Sequence, residues 1–198
     1  MKARSQHQQF YLVLYTETDA DVQRYHCGSG LDLGLTENGI EDARKIARRF
    51  KKNPLKIRRM IASPELRAVQ MADVLHDEIK AKLGLWREFA DQFLGEWEGK
   101  PLAVSNGQRD PAIETSESVQ NPPRGEAGEG FRARVEVGLQ KLLSEASDPK
   151  TPILLVTHPR VARVILSSLG LGLEKLDRGV LVAIDIPEGQ GIAHLRVV

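Results

Sequence analysis

Met60-Ile61-Ala62-Ser63-Pro64-Glu65-Leu66-Arg67-Ala68 runs three apolar residues into Ser-Pro and then into a helical pattern. Ser63 reads as an N-cap and Pro64 as the first helical position. Ala68, Met71, Ala72, Leu75 and Ile79 then form one apolar stripe, so a strand passes directly into a helix. Outward from this unit the same step recurs. Phe10 to Tyr15 (FYLVLY) and Ile153 to Val156 (ILLV) are short continuous apolar runs, the pattern of strands buried on both faces, although periodicity alone leaves a buried helix open. Ile40, Ala43, Ala47 and Phe50 mark a helix ended by Asn53-Pro54, and Phe131, Val135, Leu139 and Leu142 mark another. Val161, Val164 and Ile165 begin a fourth, closed by Gly170. Trp86 to Phe89 reads as a further short strand. Val180 to Ile186 and Ile192 to Val198 read as a final pair around the turn from Pro187 to Gly191. Strands alternating with helices predict an α/β fold, a mostly parallel sheet flanked by helices.

The chain has 198 residues, a length that predicts a single domain over residues 1–198. It is 41% hydrophobic and 28% charged, ordinary values for a folded chain with a real core. Net charge is +1, so nothing global recommends a nucleic-acid partner. One cysteine, Cys27, excludes an internal disulfide, and no Cys/His cluster has metal spacing; neither a metal nor an organic cofactor is expected. The N-terminal tail, residues 1–9, is polar and unlike a signal peptide, and no apolar run approaches the ~18 residues of a membrane span. A cytoplasmic protein without membrane contact is expected. Residues 100–128 are polar and rich in Pro, Gly, Ser and Glu, and read as an insertion or lid.

In an α/β sheet, ligands gather beyond the carboxyl ends of the strands. Three such ends carry suggestive residues: Tyr15-Thr16-Glu17-Thr18 after the first run, Ser63 to Arg67, and Thr157-His158-Pro159-Arg160. Helix N-termini favour anions, so Arg67 and His158 at two of them describe an anion pocket.

These residues also carry a resemblance. Gly34-Leu35-Thr36-Glu37-Asn38-Gly39 is similar to a Pro-Leu-Thr-x-x-Gly helix start, and Ser63 to Ala68 to Ser-Pro-x-x-Arg-Ala. Gly95-Glu96-Trp97-Glu98-Gly99 is similar to Gly-x-Trp-Glu-Gly, Pro122-Pro123-Arg124-Gly125-Glu126 to Pro-Pro-x-Gly-Glu, and Val156-Thr157-His158 to a segment bearing a second site histidine. In this order and spacing the chain resembles the histidine phosphatase superfamily, in the branch of phosphoglycerate mutases and α-ribazole phosphatases. The resemblance runs from about Phe10 to Val198 and implies a three-layer α/β/α sandwich of the phosphoglycerate mutase type.

The resemblance also implies a site, and a departure within it. The family's first strand ends in Arg-His-Gly before Glu-Thr, the histidine being the nucleophile and the arginine a phosphoryl clamp. Glu17 and Thr18 set the register, so Leu14, Tyr15 and Thr16 stand in the place of Arg-His-Gly. Arg67 and His158 keep two of the four core positions. Asp91, four residues before Gly95, takes the general-acid position, with Glu88 and Glu96 as rival carboxylates. A phenol is less than about 0.1% ionised at pH 7, and losing an arginine clamp removes charged hydrogen bonds of about 1.5–3 kcal/mol each. An impaired or inactive phosphatase is implied, one that retains a cationic pocket for a phosphorylated or anionic small molecule.

Blander readings stand beside these. Tyr15 reads as a core aromatic, a pocket wall, or a nucleophile activated by Arg67 and His158. Thr16, His26 and Arg160 are candidate phosphate contacts; His26 also reads as a loop histidine, and Arg160 with Pro159 stands where relatives carry two glycines. Cys27 lacks a phosphate-cradling loop around it. Between Arg44 and Arg59 nine basic residues occur without an acidic one, which reads as a solvated helix end. The competing functions are a phosphomonoesterase of altered mechanism, with His158 or Asp91 activating water or Tyr15, and an interaction protein that presents its surface to a protein partner.

Overall fold

Phe10, Leu12 and Leu14 face one way along the first strand, while Tyr11, Val13 and Tyr15 face the other. The period-2 alternation of a strand therefore gives this segment two buried faces and the molecule three layers. The computed structural model describes residues 8–52, 55, 57–102, 121–146, 152–171, 176–187 and 193–198. Among these the strands are β1 (Gln8–Leu14), β2 (Arg59–Ala62), β3 (Lys82–Leu85), β4 (Ile153–Thr157), β5 (Leu181–Ile186) and β6 (His194–Val197). The helices are α1 (Asp19–Gln23), α2 (Glu37–Lys52), α3 (Leu66–Ile79), α4 (Gly128–Glu145) and α5 (Pro159–Ser168).

The strands form one sheet in the order β3-β2-β4-β1-β5-β6. The pairs β3/β2, β2/β4 and β4/β1 are parallel, and β5 and β6 add an antiparallel edge. Leu12 pairs with Leu155 on one side and Val182 on the other, so β1 is central. One face packs Ala43, Ala47 and Phe50 of α2 with Ala68, Met71 and Leu75 of α3. The opposite face packs Phe131, Val135, Leu139 and Leu142 of α4 with Val161 and Ile165 of α5. This is the expected three-layer α/β/α arrangement.

Several local expectations change. Trp86–Phe89 is not a strand: β3 lies just before it, and Arg87–Phe89 is a 3₁₀ turn. The apolar content of that segment goes into stacking, Trp86 on Phe89 at 5.8 Å, rather than into sheet pairing. Ser63 does not cap α3. That helix starts at Leu66, whose N–H donates to Asp32 Oδ1 (2.6 Å), and the Ser63 hydroxyl turns inward. The polar tail gives way to β1 two residues earlier than expected, because Gln8 and Gln9 pair with Ile186 and Asp185 of β5. Helix α1 was not foreseen; five residues are too few for a period, and Thr18 with Asp21 forms its capping box. The Asn53-Pro54 stop, most of the polar excursion (103–120) and most of the last turn (188–192) lie outside the described residues.

Candidate functional site

Three strand ends and one turn converge. Tyr15 follows β1, Ser63 and Glu65 lie between β2 and α3, Arg67 stands in the first turn of α3, and His158 caps α5 directly after β4. Asp91 arrives on the segment after the 3₁₀ turn. Its Oδ2 accepts from Arg67 Nη2 (3.3 Å) and Arg160 Nη1 (3.5 Å) and lies 3.6 Å from His158 Nδ1. Its Oδ1 accepts the Gln92 N–H (2.9 Å). Arg67 is completely buried and also donates to the Leu31 carbonyl (3.2 Å) and the Gly28 carbonyl (3.1 Å).

The other ring nitrogen of His158, Nε2, lies 2.7 Å from Ser63 Oγ and 2.9 Å from Glu65 Oε2. Ser63 Oγ also donates to that same Glu65 oxygen. Burial pulls the His158 imidazole below its ordinary range, against Asp91 and Glu65, which favour its charged form. Burial also acts to raise the Asp91 carboxyl, but the positive charges of His158 when protonated, of Arg160 and of Arg67 outweigh it and its pKa falls. Glu65 falls likewise: burial raises it, and the hydrogen bond from His158 leads the effects that lower it. Carboxylates face both ring nitrogens and can only accept; the shorter contact, 2.9 Å at Nε2 against 3.6 Å at Nδ1, places the proton of neutral His158 on Nε2, donated toward Glu65. Ser63, His158 and Asp91 thus line up like a nucleophile, base and carboxylate, yet the nitrogen that would serve as base already carries a proton.

Tyr15 is 3% exposed, with its ring edge-on to His158 at 5.3 Å. The guanidiniums of Arg67 and Arg178 lie over that ring, at 5.2 Å and 4.2 Å from its centroid. Burial nevertheless pushes the phenol pKa up, against the lowering effects of Arg178 and Arg67. Arg178, from the turn before β5, pairs with Asp21 of α1. Beside Thr16 and Arg178, toward α2 and β6, opens a cavity of about 480 Å³ lined also by Lys45 and Arg49.

The turn that brings Asp91 is held from outside by Arg134 of α4. Its guanidinium donates to the carbonyls of Arg87, Glu88, Ala90 and Asp91 and forks onto Glu126 at 2.9 and 2.7 Å. Arg134→Ala should cost about 2–3 kcal/mol in urea denaturation, because four carbonyls lose a charged donor. A loss below about 0.5 kcal/mol would mean that the turn holds itself. On the other flank, Glu98 accepts from the N–H groups of Gly28 and Gly30, and a Cβ at Gly28 would stand 2.1 Å from the Gln92 carbonyl oxygen. Only glycine lets these two segments meet.

A family model for the histidine phosphatase superfamily (branch 1) matches residues 10–184. The chain belongs to this superfamily. No curated protein sequence matches it. Among solved structures, the α-ribazole phosphatase from Shigella flexneri is 26% identical with a TM-score of 0.76, covering 96% of this chain and 95% of its own. A Thermus thermophilus protein, TTHB049, is 27% identical with a TM-score of 0.71, covering 96% of each chain. A mycobacterial glucosyl-3-phosphoglycerate phosphatase shares the fold at 20% identity, TM-score 0.74, covering 96% of this chain and 97% of its own.

For this histidine phosphatase superfamily chain, the structure gathers Tyr15, Arg67, Asp91, His158 and Arg160 in one cluster. Of the rival carboxylates, Glu88 pairs with Lys141 (3.1 Å) and Glu96 with Arg124 (3.3 Å), both on the surface, and only Asp91 reaches His158. Thr16 donates its hydroxyl to the Gly39 carbonyl (2.7 Å) at the start of α2. His26 packs its ring beside Trp97, and its backbone N–H donates to the Lys100 carbonyl. Arg160 also donates to the Cys27 carbonyl (3.2 Å). Burial raises the Cys27 thiol to about 11, the opposite of an activated thiolate. Glu65, Ser63 and Arg178 are the residues that sequence reasoning did not assign to the site. Among the described residues no group of three or more His, Cys, Asp or Glu side chains is arranged to hold a metal ion, and no helix is long and apolar enough to cross a membrane.

Proposed function

We propose that this superfamily member binds a phosphorylated or otherwise anionic small molecule between Arg67, Arg160 and His158, and does not transfer phosphoryl groups by the histidine route. The observation that carries the anion half is an orphaned donor on Arg67, with a second, on Arg178, against the same aromatic ring. Arg67 Nε and Arg178 Nη1 are buried over the Tyr15 ring without a hydrogen-bond acceptor. A buried cationic N–H left unpaired is costly, and an anion is the partner that relieves it.

The second half rests on Tyr15, which the resemblance sets at the nucleophile's place. Its raised pKa opposes phenolate formation, and a phosphotyrosine ester is more inert than a phosphohistidine. The test is phosphate release from a panel of phosphomonoesters, with His158→Ala purified in parallel. The expected result is a wild-type rate no higher than that of the variant. A rate that the variant loses would instead favour an active phosphomonoesterase of altered mechanism, for which Asp91 beside His158 supplies an acid–base pair. In that event Tyr15→Phe decides whether the phenol or a water attacks.

A further inference from the structure

Position 65 is left open by the Ser-Pro-x-x-Arg-Ala pattern, and here it holds a carboxylate that is 7% exposed. Glu65 is the N-cap of α3, yet its side chain makes no capping bond; only its carbonyl accepts from Ala68 and Val69. A carboxylate there could stabilise the helix start. It points instead to Ser63 Oγ and His158 Nε2 and takes a hydrogen bond from each. A hydroxyl and an imidazole N–H, with a guanidinium nearby, are also the donors that a tetrahedral oxyanion uses.

The charge count agrees. Arg67 and Arg160 both face Asp91, and Glu65 faces His158, which burial keeps neutral, so two cations stand against two of the chain's own carboxylates. We propose that Glu65 is an internal anion occupying the place of a ligand's phosphate against Ser63 and His158, and that it thereby sets the site's affinity for anions. A ligand must displace this carboxylate or meet its repulsion. Glu65 is a specificity-determining residue rather than a catalytic one: it favours ligands whose remaining contacts supply the energy to exchange an anion for an anion. This inference rests on the anion-pocket reading above.

The test is calorimetric titration of the full chain with inorganic phosphate, on wild type, Glu65→Gln, Glu65→Ala and the double variant Glu65→Ala/Arg160→Ala. Glu65→Gln keeps the shape and removes the charge, so the comparison survives if the smaller side chain disturbs the fold. Both single variants should bind phosphate at least about tenfold more tightly than wild type, and the double variant should lose that gain. Equal affinity in wild type and both single variants, weakened in the double variant, overturns the role of Glu65 and leaves the pocket standing. Absence of binding in every protein overturns both.

Discussion

Arg67→Met should be the most damaging single substitution at this site. The methionine keeps the linear bulk of the arginine but removes three donations, to Asp91 Oδ2 and to the carbonyls of Gly28 and Leu31. Asp91 is 1% exposed and cannot turn to water for a replacement. Breaking a buried ion pair from one side costs about 3–5 kcal/mol, because the surviving charge stays buried. For a chain of this size that is a fall of roughly 10 °C in melting temperature. Asp91→Asn in the same background should recover part of the loss, since the orphaned charge is then gone. Calorimetric melting of the two variants and wild type reads both effects. A single variant melting within about 2 °C of wild type would show that Arg160 and the Gln92 N–H hold Asp91 unaided.

This sensitivity explains why some of the site was legible in the sequence and some was not. Arg67 and His158 were readable because each sits at a strand-to-helix step, and such steps are marked by apolar runs meeting a helical period. Asp91 was readable only through its spacing from Gly95. The choice against Glu88 and Glu96 needed the fold, since all three are acidic residues within one run of short 3₁₀ turns and connecting backbone, without a periodic signal to tell what packs against them. Glu65 was hidden by a local signal that is usually sound. Ser-Pro before a helix assigns the serine hydroxyl to the helix cap, whereas here β4 brings His158 alongside and claims both Ser63 and Glu65. Arg178 had no signal at all. It belongs to a turn, and its guanidinium meets Tyr15 only because β5 pairs antiparallel beside β1.

The strands show the same division. FYLVLY and ILLV are apolar on both faces and were bound to be central. Lys82-Leu83-Gly84-Leu85 is partly exposed, and its strand character comes from parallel pairing with β2 rather than from its own composition. Trp86 and Phe89 carry the stronger apolar signal and yet lie in a turn, where burial comes from stacking and from α4. Apolar content predicted what is buried there; only the pairing partner decided what is strand.

The buried titrating groups predict a stability plateau with two declining sides. Asp91 and Glu65 have folded pKa values below their ordinary 3.8 and 4.5, so the unfolded chain binds protons first as pH falls. His158 is also depressed, from 6.5, and acts in the same direction: its contribution is complete above 6.5 and is lost as pH drops through and below that value. On the alkaline side the sign reverses. Cys27 is raised from 9.0 to about 11 and Tyr15 is raised above 10.0, so the unfolded chain releases protons first and stability falls as pH rises past 9.0. Each proton taken up or released by the unfolded chain alone tilts stability by about 1.4 kcal/mol per pH unit. Urea midpoints across this range should therefore be flat between 6.5 and 9.0 and fall on both sides. His158→Asn should remove the first part of the acid decline, from 6.5 down to the carboxylate range, while leaving the steeper loss below 4.5 that belongs to Asp91 and Glu65. Cys27→Ser should soften the alkaline side in the same way. An acid decline unchanged in His158→Asn would mean that the imidazole titrates alike in the folded and unfolded chain; a deeper decline in the variant would mean that it is protonated in the folded chain, with Nδ1–H donated to Asp91.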